Sequence, residues 1–220
     1  MAKTVAIIGG GAAGLMASYQ AAMMGAKVSL FERNHNLGRK ILISGKGRCN
    51  LTNIKDIDEF IANYPDNGKF LYSSLVQFSN IQLMDFFEKQ GLKTKIERGG
   101  RVFPQTNDAL DVVKVLERAC IHAGVSIEYE ARVKHLILEK TRVKGIELYN
   151  SGKVFNCERI VVATGGLSYP ATGSTGDGYD LALQAGHEVT ELKPSLVPLI
   201  VKEHWIKELQ GLALKNVQLS

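Results

Sequence analysis

A run of small residues near the N-terminus is the first feature with a clear chemical use. It follows a short apolar segment and consists of Gly9, Gly10, Gly11, Ala12, Ala13 and Gly14. In a turn from a buried strand to a helix, Gly9 would permit the bend, Gly11 would leave room for a diphosphate against the backbone, and Gly14 would let the helix approach the sheet. The free N–H groups at the helix start would favour each nearby negative charge by about 0.3–1 kcal/mol.

An acidic residue closes the second apolar segment. Glu32 follows residues 27–31, at the position where a carboxylate accepts hydrogen bonds from the ribose hydroxyls of an adenosine. A phosphate on the ribose 2′ oxygen would repel it, by about 4 kcal/mol at roughly 4 Å and an effective dielectric constant of about 20. The pattern predicts a site for an adenine dinucleotide that disfavours NADP. The alternative is a strand-to-helix turn without a ligand.

The segment 33–53 reads as a long polar loop, and long loops inside compact domains are usually functional. Its positive side chains are Arg33, Arg39, Lys40, Lys46 and Arg48, and its small polar ones include Ser44, Asn50, Thr52 and Asn53. Such groups suit a diphosphate and the polar edge of a flavin. A solvated basic loop is the alternative, and an NAD-only dehydrogenase remains a third possibility.

A second glycine-containing turn follows an apolar run at 159–163. Thr164, Gly165 and Gly166 end that run, and the loop 168–178 is rich in glycine and hydroxyl groups. Tyr169 in this loop is a candidate to lie against a flavin ring. By composition alone, the two glycines indicate only the end of a strand.

Five segments resemble the successive signatures of one bacterial family. They are GGGAAGLMAS, GRKILISGKGRCNLTN, GRVFPQTNDALDVV, VVATGGLSYPATGSTGDGYDLA and KPSLVPL. Together they resemble the FAD-dependent oxidoreductases of the aminoacetone-oxidase-like, or bile-acid-inducible flavoprotein, type. The resemblance implies FAD bound in an extended pose in a Rossmann-like domain that a substrate-facing domain interrupts. Family members are longer, and their remaining half normally supplies the rest of the substrate domain and a last glycine segment against the flavin.

The motifs and the resemblance together give a set of candidate cofactor-binding residues. They are Gly9, Gly11, Ala12, Ala13, Gly14, Glu32, Arg33, Gly38, Arg39, Lys40, Ser44, Gly45, Val133, Thr164, Gly165, Gly166, Thr175, Gly176 and Asp177. The expected reaction is hydride transfer through flavin N5, with NAD(P)H or an organic compound as donor and oxygen or an enone-type substrate as acceptor. A non-catalytic dinucleotide-binding module that needs a complementary chain is the alternative function.

The sequence identifies no catalytic residue with any specificity. Cys49 is a weak candidate, since Lys46 and Arg48 beside it would lower its pKa. One cysteine without a resolving partner is more often a small buried apolar residue. Arg101 is a candidate for an anionic substrate or for a structural ion pair. The three cysteines and five histidines show no metal-ligand spacing, so we expect no metal site.

The apolar patterns predict an α/β fold with a parallel sheet and an antiparallel meander. Strands are expected at 4–8, 27–31 and 159–163, and helices at 15–24, 109–123, 177–185 and through 54–91. A strand at 92–97 precedes a turn-rich segment at 99–104. The meander comprises 126–129, 133–138 and 143–149, continued by 153–157.

Composition narrows the partners and the organisation of the chain. The net charge is +5 over 220 residues, but the basic residues are scattered, so we expect a small-molecule substrate rather than nucleic acid. With no apolar run of eighteen residues and no leader-like N-terminus, we expect no membrane span and a cytoplasmic protein. The predicted domains are 1–192, an incomplete FAD-binding domain, and 193–220, the start of a mostly β substrate domain. The missing C-terminal half is a candidate partner.

Overall fold

The computed structural model describes residues 2–64, 67–194, 200–212, 214 and 217–218. Internal contacts divide the chain into two units, Met1–Val189 and Thr190–Ser220. The second unit contains a short 3-10 helix at His204–Leu209, and its described residues form no strand. Much of the predicted second domain, 193–220, lies outside the described residues, which there comprise 193–194, 200–212, 214 and 217–218.

The first unit contains ten strands and seven α-helices among its described residues. In chain order they are β1 Thr4–Ile8, α1 Ala12–Met23, β2 Lys27–Phe31, α2 Arg39–Ile43, β3 Thr52–Asn53, α3 Ile57–Ala62, α4 Tyr72–Gln77, α5 Asn80–Lys89, β4 Thr94–Glu97, β5 Arg101–Pro104, α6 Ala109–His122, β6 Ser126–Glu128, β7 Val133–Glu139, β8 Arg142–Leu148, β9 Val154–Asn156, β10 Arg159–Val162 and α7 Asp177–Gln184.

A four-stranded parallel sheet in the order β10-β1-β2-β6 forms the centre of the unit. The predicted α/β class and its three parallel strands are confirmed. The prediction for 126–129 is wrong in one respect, because β6 joins this sheet beside β2 instead of opening the meander. It follows helix α6, and a strand that returns from a helical crossover runs parallel to its neighbour.

Two antiparallel sheets are formed by segments that lie between strands of the parallel sheet along the chain. The sheet β7-β8-β9 confirms the rest of the meander, and the second sheet has the order β3-β5-β4. The segment 99–104, expected as a turn, supplies the central strand β5 of that second sheet. Its residues Val102 and Phe103 are buried, which favours a strand over an open turn.

Two other expectations require correction. The segment 33–53 is not a continuous loop, because it contains α2 and β3, and Ile41 in α2 is buried in the main apolar core. The helical stretch 54–91 is divided into α3, α4 and α5 with a 3-10 turn at Gly68–Leu71. A capping box between Ser79 and Gln82 starts α5 and accounts for the last division.

Helices α1 and α6 cover one face of the parallel sheet. The buried face of α6 includes Val112, Val115 and Leu116, and these pack with Leu15 of α1 and Leu30 of β2 in one core. Burial of apolar surface stabilises such packing by roughly 25 cal/mol per Å². The result is a fixed sheet edge, at which the chain leaving β1, β2 and β10 comes together.

Candidate cofactor site

A cavity of about 500 Å³ opens at the carboxyl ends of the parallel strands. In open α/β sheets this edge is where ligands bind, and the volume lies within the usual range for cofactor sites of roughly 300–1,000 Å³. Of the residues predicted from the sequence, the lining includes Gly9, Gly11, Ala12, Ala13, Glu32, Arg33, Gly38, Arg39, Lys40, Ser44, Cys49, Val133, Thr164, Gly165 and Asp177.

The glycines of the β1–α1 turn have different surroundings. Gly9 has a φ of +105°, and a β-carbon there would lie 2.5 Å from the Ala163 carbonyl oxygen. A β-carbon on Gly14 would collide with the Gly9 carbonyl oxygen. Around Gly11, by contrast, no heavy atom of the described residues, apart from its own chain neighbours and the adjacent helix backbone, lies within 4 Å of where a β-carbon would stand. Gly9 and Gly14 therefore permit close packing, whereas Gly11 faces the open cavity.

The Glu32 carboxylate is buried, 6 % exposed, and held against this turn. Its Oε2 accepts a hydrogen bond from the Gly10 backbone N–H at 2.7 Å, and its Oε1 accepts one from the Asn34 backbone N–H at 2.8 Å. The Asn34 side-chain amide also donates to Oε1, and Arg39 donates to the Asn34 Oδ1 at 2.7 Å. The acidic residue thus lies in the cavity wall beside the bare backbone of the turn.

A cluster of charged groups forms another part of the wall. Arg132 donates two hydrogen bonds to Asp177, from Nε at 2.9 Å and from Nη2 at 3.1 Å. Arg33 donates to the Thr175 hydroxyl at 2.6 Å and lies 3.4 Å from the same carboxylate. Burial raises the pKa of Asp177, but the hydrogen bonds from Arg132 and Thr175 and the charges of Arg132 and Arg33 outweigh it, so the pKa lies below its usual value.

A lysine joins the two loops that border the cavity. Lys40 of α2 donates from Nζ to the Ser168 carbonyl oxygen at 2.8 Å. On the opposite loop, Gly165 has a φ of +77°, and a β-carbon there would lie 2.7 Å from the Ser174 hydroxyl. The segment after β2 and the loop after β10 therefore meet at Lys40 and at Arg33, which donates to the Gly173 carbonyl oxygen at 3.4 Å and to the Thr175 hydroxyl at 2.6 Å, while Gly165 packs on Ser174 within the loop after β10.

Five of the predicted cofactor-binding residues do not line this cavity, namely Gly14, Gly45, Gly166, Thr175 and Gly176. Gly45 adopts a left-handed conformation close to the Asn50 backbone, and Gly176 does so at the start of α7. Thr175 donates its hydroxyl hydrogen bond to Asp177 at 2.7 Å. In this structure these residues support the loops that form the wall.

Cys49 lines the cavity but does not have the predicted activated thiol. Burial raises the pKa of the Cys49 thiol, and a hydrogen bond with Ser44 lowers it by less. The expected effect of Arg48 is absent because its guanidinium is paired with Glu97, at 2.9 and 3.0 Å. The prediction of a lowered pKa is therefore wrong. Arg101 lies outside the cavity lining and donates to the Arg98 carbonyl oxygen at 3.1 Å.

Sequence reasoning missed Asn34 and Arg132. Both line the cavity but belong to no glycine pattern, and the signal for Arg132 was its position just before the predicted strand at 133. Ser174, in the glycine- and hydroxyl-rich loop 168–178, also lines the cavity. The Thr164 hydroxyl oxygen is buried and has no hydrogen-bond partner among the described residues. A β-carbon on Gly178 would contact this oxygen, so the hydroxyl faces the first turn of α7 and is closed off from the cavity.

The comparison with known families decides the classification. The model of the family described as "HI0933-like protein Rossmann domain" matches residues 3–218 of the chain. The chain belongs to this family. The match confirms the resemblance drawn from the five sequence segments.

Relatives within and beyond the family agree with this assignment. The chain is 37 % identical over 202 residues to a 3-dehydro-bile acid delta(4,6)-reductase of Clostridium scindens, covering 91 % of this chain and 48 % of the relative. It is 35 % identical over 207 residues to a ribosomal RNA dihydrouridine synthase of Escherichia coli, covering 94 % and 50 %. A flavocytochrome c3 fumarate reductase shares the fold, with a TM-score of 0.66, 20 % identity and coverage of 84 % and 40 %.

The chain spans about half the length of the curated relatives it matches. Within the described part of the chain, no helix has the length and apolar character needed to cross a membrane. The same residues contain no group of three or more His, Cys, Asp or Glu side chains arranged to hold a metal ion.

Proposed function

We propose that the chain is the FAD-binding part of an oxidoreductase. One observation carries the proposal: a single cavity is bordered by the open backbone at Gly11, the Glu32 carboxylate and the second turn at Thr164 and Gly165. An extended dinucleotide needs these features together, since its diphosphate requires a bare backbone and its ribose a hydrogen-bond acceptor.

Each wall would hold a different part of FAD. Gly11 and the uncapped N-terminus of α1 would receive the diphosphate, and Glu32 would accept from the adenosine ribose. Arg39 and Lys40 contribute positive charge to the wall after β2. When bound, the flavin would supply two-electron chemistry by accepting and releasing hydride at N5. The protein groups would orient it and balance its charge.

The proposed reaction is the reduction of a ring carbon–carbon double bond, with NAD(P)H as the source of hydride. Two lines of support come from relatives, one named as a bile acid reductase and another as a synthase of dihydrouridine in ribosomal RNA. The second name weakens the sequence-based expectation that nucleic acid is excluded as a partner. For this chain, the substrate class depends on a site other than the dinucleotide cavity.

The test is a reduction experiment without oxygen. We expect the purified chain to take up FAD and to lose its visible flavin absorbance when NADH or NADPH is added. Bound FAD that neither nucleotide reduces would reject the proposed donor. A chain that takes up no FAD at all would reject the proposed function.

A second candidate follows from the coverage of the relatives, which is 48 % and 50 %. The chain would then be a dinucleotide-binding module without activity of its own that needs a complementary chain. FAD binding with no reduction of any added acceptor, and activity that returns when the other half of a relative is co-expressed, would favour this candidate.

A further inference from the structure

A second, shallower groove lies beside the cofactor cavity, and six of its eight lining residues do not line that cavity. It has a volume of about 590 Å³ and is lined by Asn36, Arg39, Leu42, Ile43, Tyr169, Pro170, Ala171 and Thr172. Arg39 and Thr172 line both spaces, so the groove and the cofactor cavity share a wall. A ligand in the groove would therefore lie next to a bound cofactor.

Tyr169, which the sequence offered as a residue against the flavin ring, lines this groove and not the cofactor cavity, and it is held in an unusual conformation. Its φ of 55° and ψ of 60° are left-handed, which is a rare state for a bulky residue, and the following Pro170 restricts it further. The Thr172 backbone N–H and hydroxyl both donate to the Tyr169 carbonyl oxygen, at 2.9 and 2.7 Å, and keep it there. Despite this, the residue is 66 % exposed. Strain of this kind concentrates at binding sites.

The groove also has a clear chemical character. Leu42, Ile43, Pro170 and Ala171 make most of its walls apolar, and Ile43 is 48 % exposed. Arg39 is the one charged residue in the lining. Among the described residues its guanidinium has no acidic partner within ion-pair distance and makes one hydrogen bond, to Asn34. Most of its five N–H donors are therefore free for a ligand.

We propose that this groove binds the ring system of an apolar organic acid, with Tyr169 against the ring and Arg39 at the carboxylate. The proposal rests on the proposed function, because it assigns the hydride acceptor to the space next to the flavin. A single cation among apolar walls matches one acidic group on an apolar body. An RNA strand would need several cations to meet successive phosphates, and the described lining offers one.

The experiment is a calorimetric titration of cholate, a steroid carboxylate, into the chain with and without saturating FAD. The variants are Tyr169→Ala and Ile43→Asp, which change residues that line only the groove. The matched control is Tyr72→Ala, since Tyr72 is 51 % exposed and lines neither space. We expect the cholate Kd to rise by about 10-fold in both groove variants and to stay unchanged in the control. Bound FAD per chain should remain equal in all four proteins.

A further variant separates a binding role from a structural one. Glycine adopts a positive φ without strain, so Tyr169→Gly should raise the melting temperature while it loses cholate affinity. A lower melting temperature with unchanged cholate affinity would overturn the proposal. So would a wild-type chain that binds no cholate, or equal affinity in all variants.

Two other results would each reject one of the two proposals. If a single-stranded oligouridylate displaces cholate and binds more tightly, the groove is a nucleic-acid site and the organic-acid proposal is rejected. If the chain takes up no FAD, the proposed function fails, while the titration without FAD still decides the groove, because Tyr169 and Ile43 do not line the cofactor cavity.

Discussion

The glycines of the first turn differ in whether a side chain would fit at their positions. Gly9 and Gly14 lie so close to neighbouring carbonyl groups that a methyl group would not fit, whereas the space beyond Gly11 is open. The backbone angles of Gly11, φ −85° and ψ −171°, are accessible to any residue. Its lack of a side chain therefore has no explanation in the packing of the protein itself, and a ligand diphosphate supplies one.

The Gly11→Ala variant tests this explanation. We expect its free energy of unfolding to stay within about 0.5 kcal/mol of the wild type, because the new methyl group meets no protein atom. FAD affinity should fall by about 10-fold or more, since the methyl group occupies the ligand space. Denaturant unfolding and a fluorescence titration measure the two quantities.

The Gly14→Ala variant places the same methyl group at a glycine that packs against protein atoms, so it is the control for the effect on stability. Its methyl group would collide with the Gly9 carbonyl oxygen, so we expect a loss of about 1–3 kcal/mol in stability. Normal FAD affinity in Gly11→Ala would show that the diphosphate lies elsewhere.

Cys49 has a side chain that can act as a nucleophile, but the structure places its thiol where it reacts slowly. It is 7 % exposed, and burial raises the pKa of its thiol. We expect a disulfide reagent at pH 7.5 to modify Cys49 at least about 10-fold more slowly than a cysteine in an unfolded peptide. The rate is measured by mass spectrometry of the Cys49 peptide, with urea-unfolded chain as the reference. Rapid modification of the native chain would restore Cys49 as a redox candidate.

At the scale of elements, the Asp177 cluster ties the start of α7 to the segments after β2 and before β7. Folding lowers the pKa of the Asp177 carboxyl group. The contribution of this carboxylate to stability is therefore complete above its ordinary pKa of 3.8 and is lost as the pH falls through the lower folded value. We expect Asp177→Asn to cost about 2 kcal/mol at pH 7, because two arginines lose their partner.

The pH dependence distinguishes this loss from a general packing defect. The difference in unfolding free energy between Asp177→Asn and wild type should shrink as the pH approaches 3. Asp180→Asn is the control, since Asp180 also lies in the first turn of α7 and makes no ion pair among the described residues. A deficit of the same size at pH 3 and pH 7 would contradict the ion-pair account.

Element prediction succeeded where local pattern and burial coincide. The runs that became β1 and β2 are apolar because α1 and α6 cover one face of the parallel sheet and the meander packs on the other, and such runs are visible in the sequence. The run that became β10 is also apolar, although Val161 and Val162 are partly exposed. The run at 126–128 was assigned to the wrong sheet because its pattern does not reveal which strand it pairs with. Helix α2 was missed because five residues are too short to show a period, and burial of Ile41 against α6 fixes it.

The residues of the candidate site also divide into those that a local sequence pattern reveals and those that it does not. Glycines and Glu32 were found because their spacing along one strand–turn–helix unit is local. Arg132 was not found, since its place in the wall depends on the approach of segments far apart in sequence. Charge and hydroxyl content alone do not reveal such approaches.

The chain divides into one unit that contains the cofactor cavity and a second, small unit of residues 190–220. The cavity is built from residues between Ile8 and Asp177, all in the first unit. The predicted boundary at 192 and the proposed substrate domain from 193 onward stay predictions. Because the chain covers about half of its curated relatives, its share of their activity is a separate question from cofactor binding.

The most direct test of the central claim compares FAD with FMN. FMN carries the same ring but lacks the adenosine and the second phosphate, the parts assigned to Gly11 and Glu32. Each flavin is added to the purified chain, excess is removed by gel filtration, and the retained flavin is measured by absorbance after release. We predict one FAD per chain and almost no FMN. A chain that retains neither flavin, or retains FMN as well as FAD, would contradict the account.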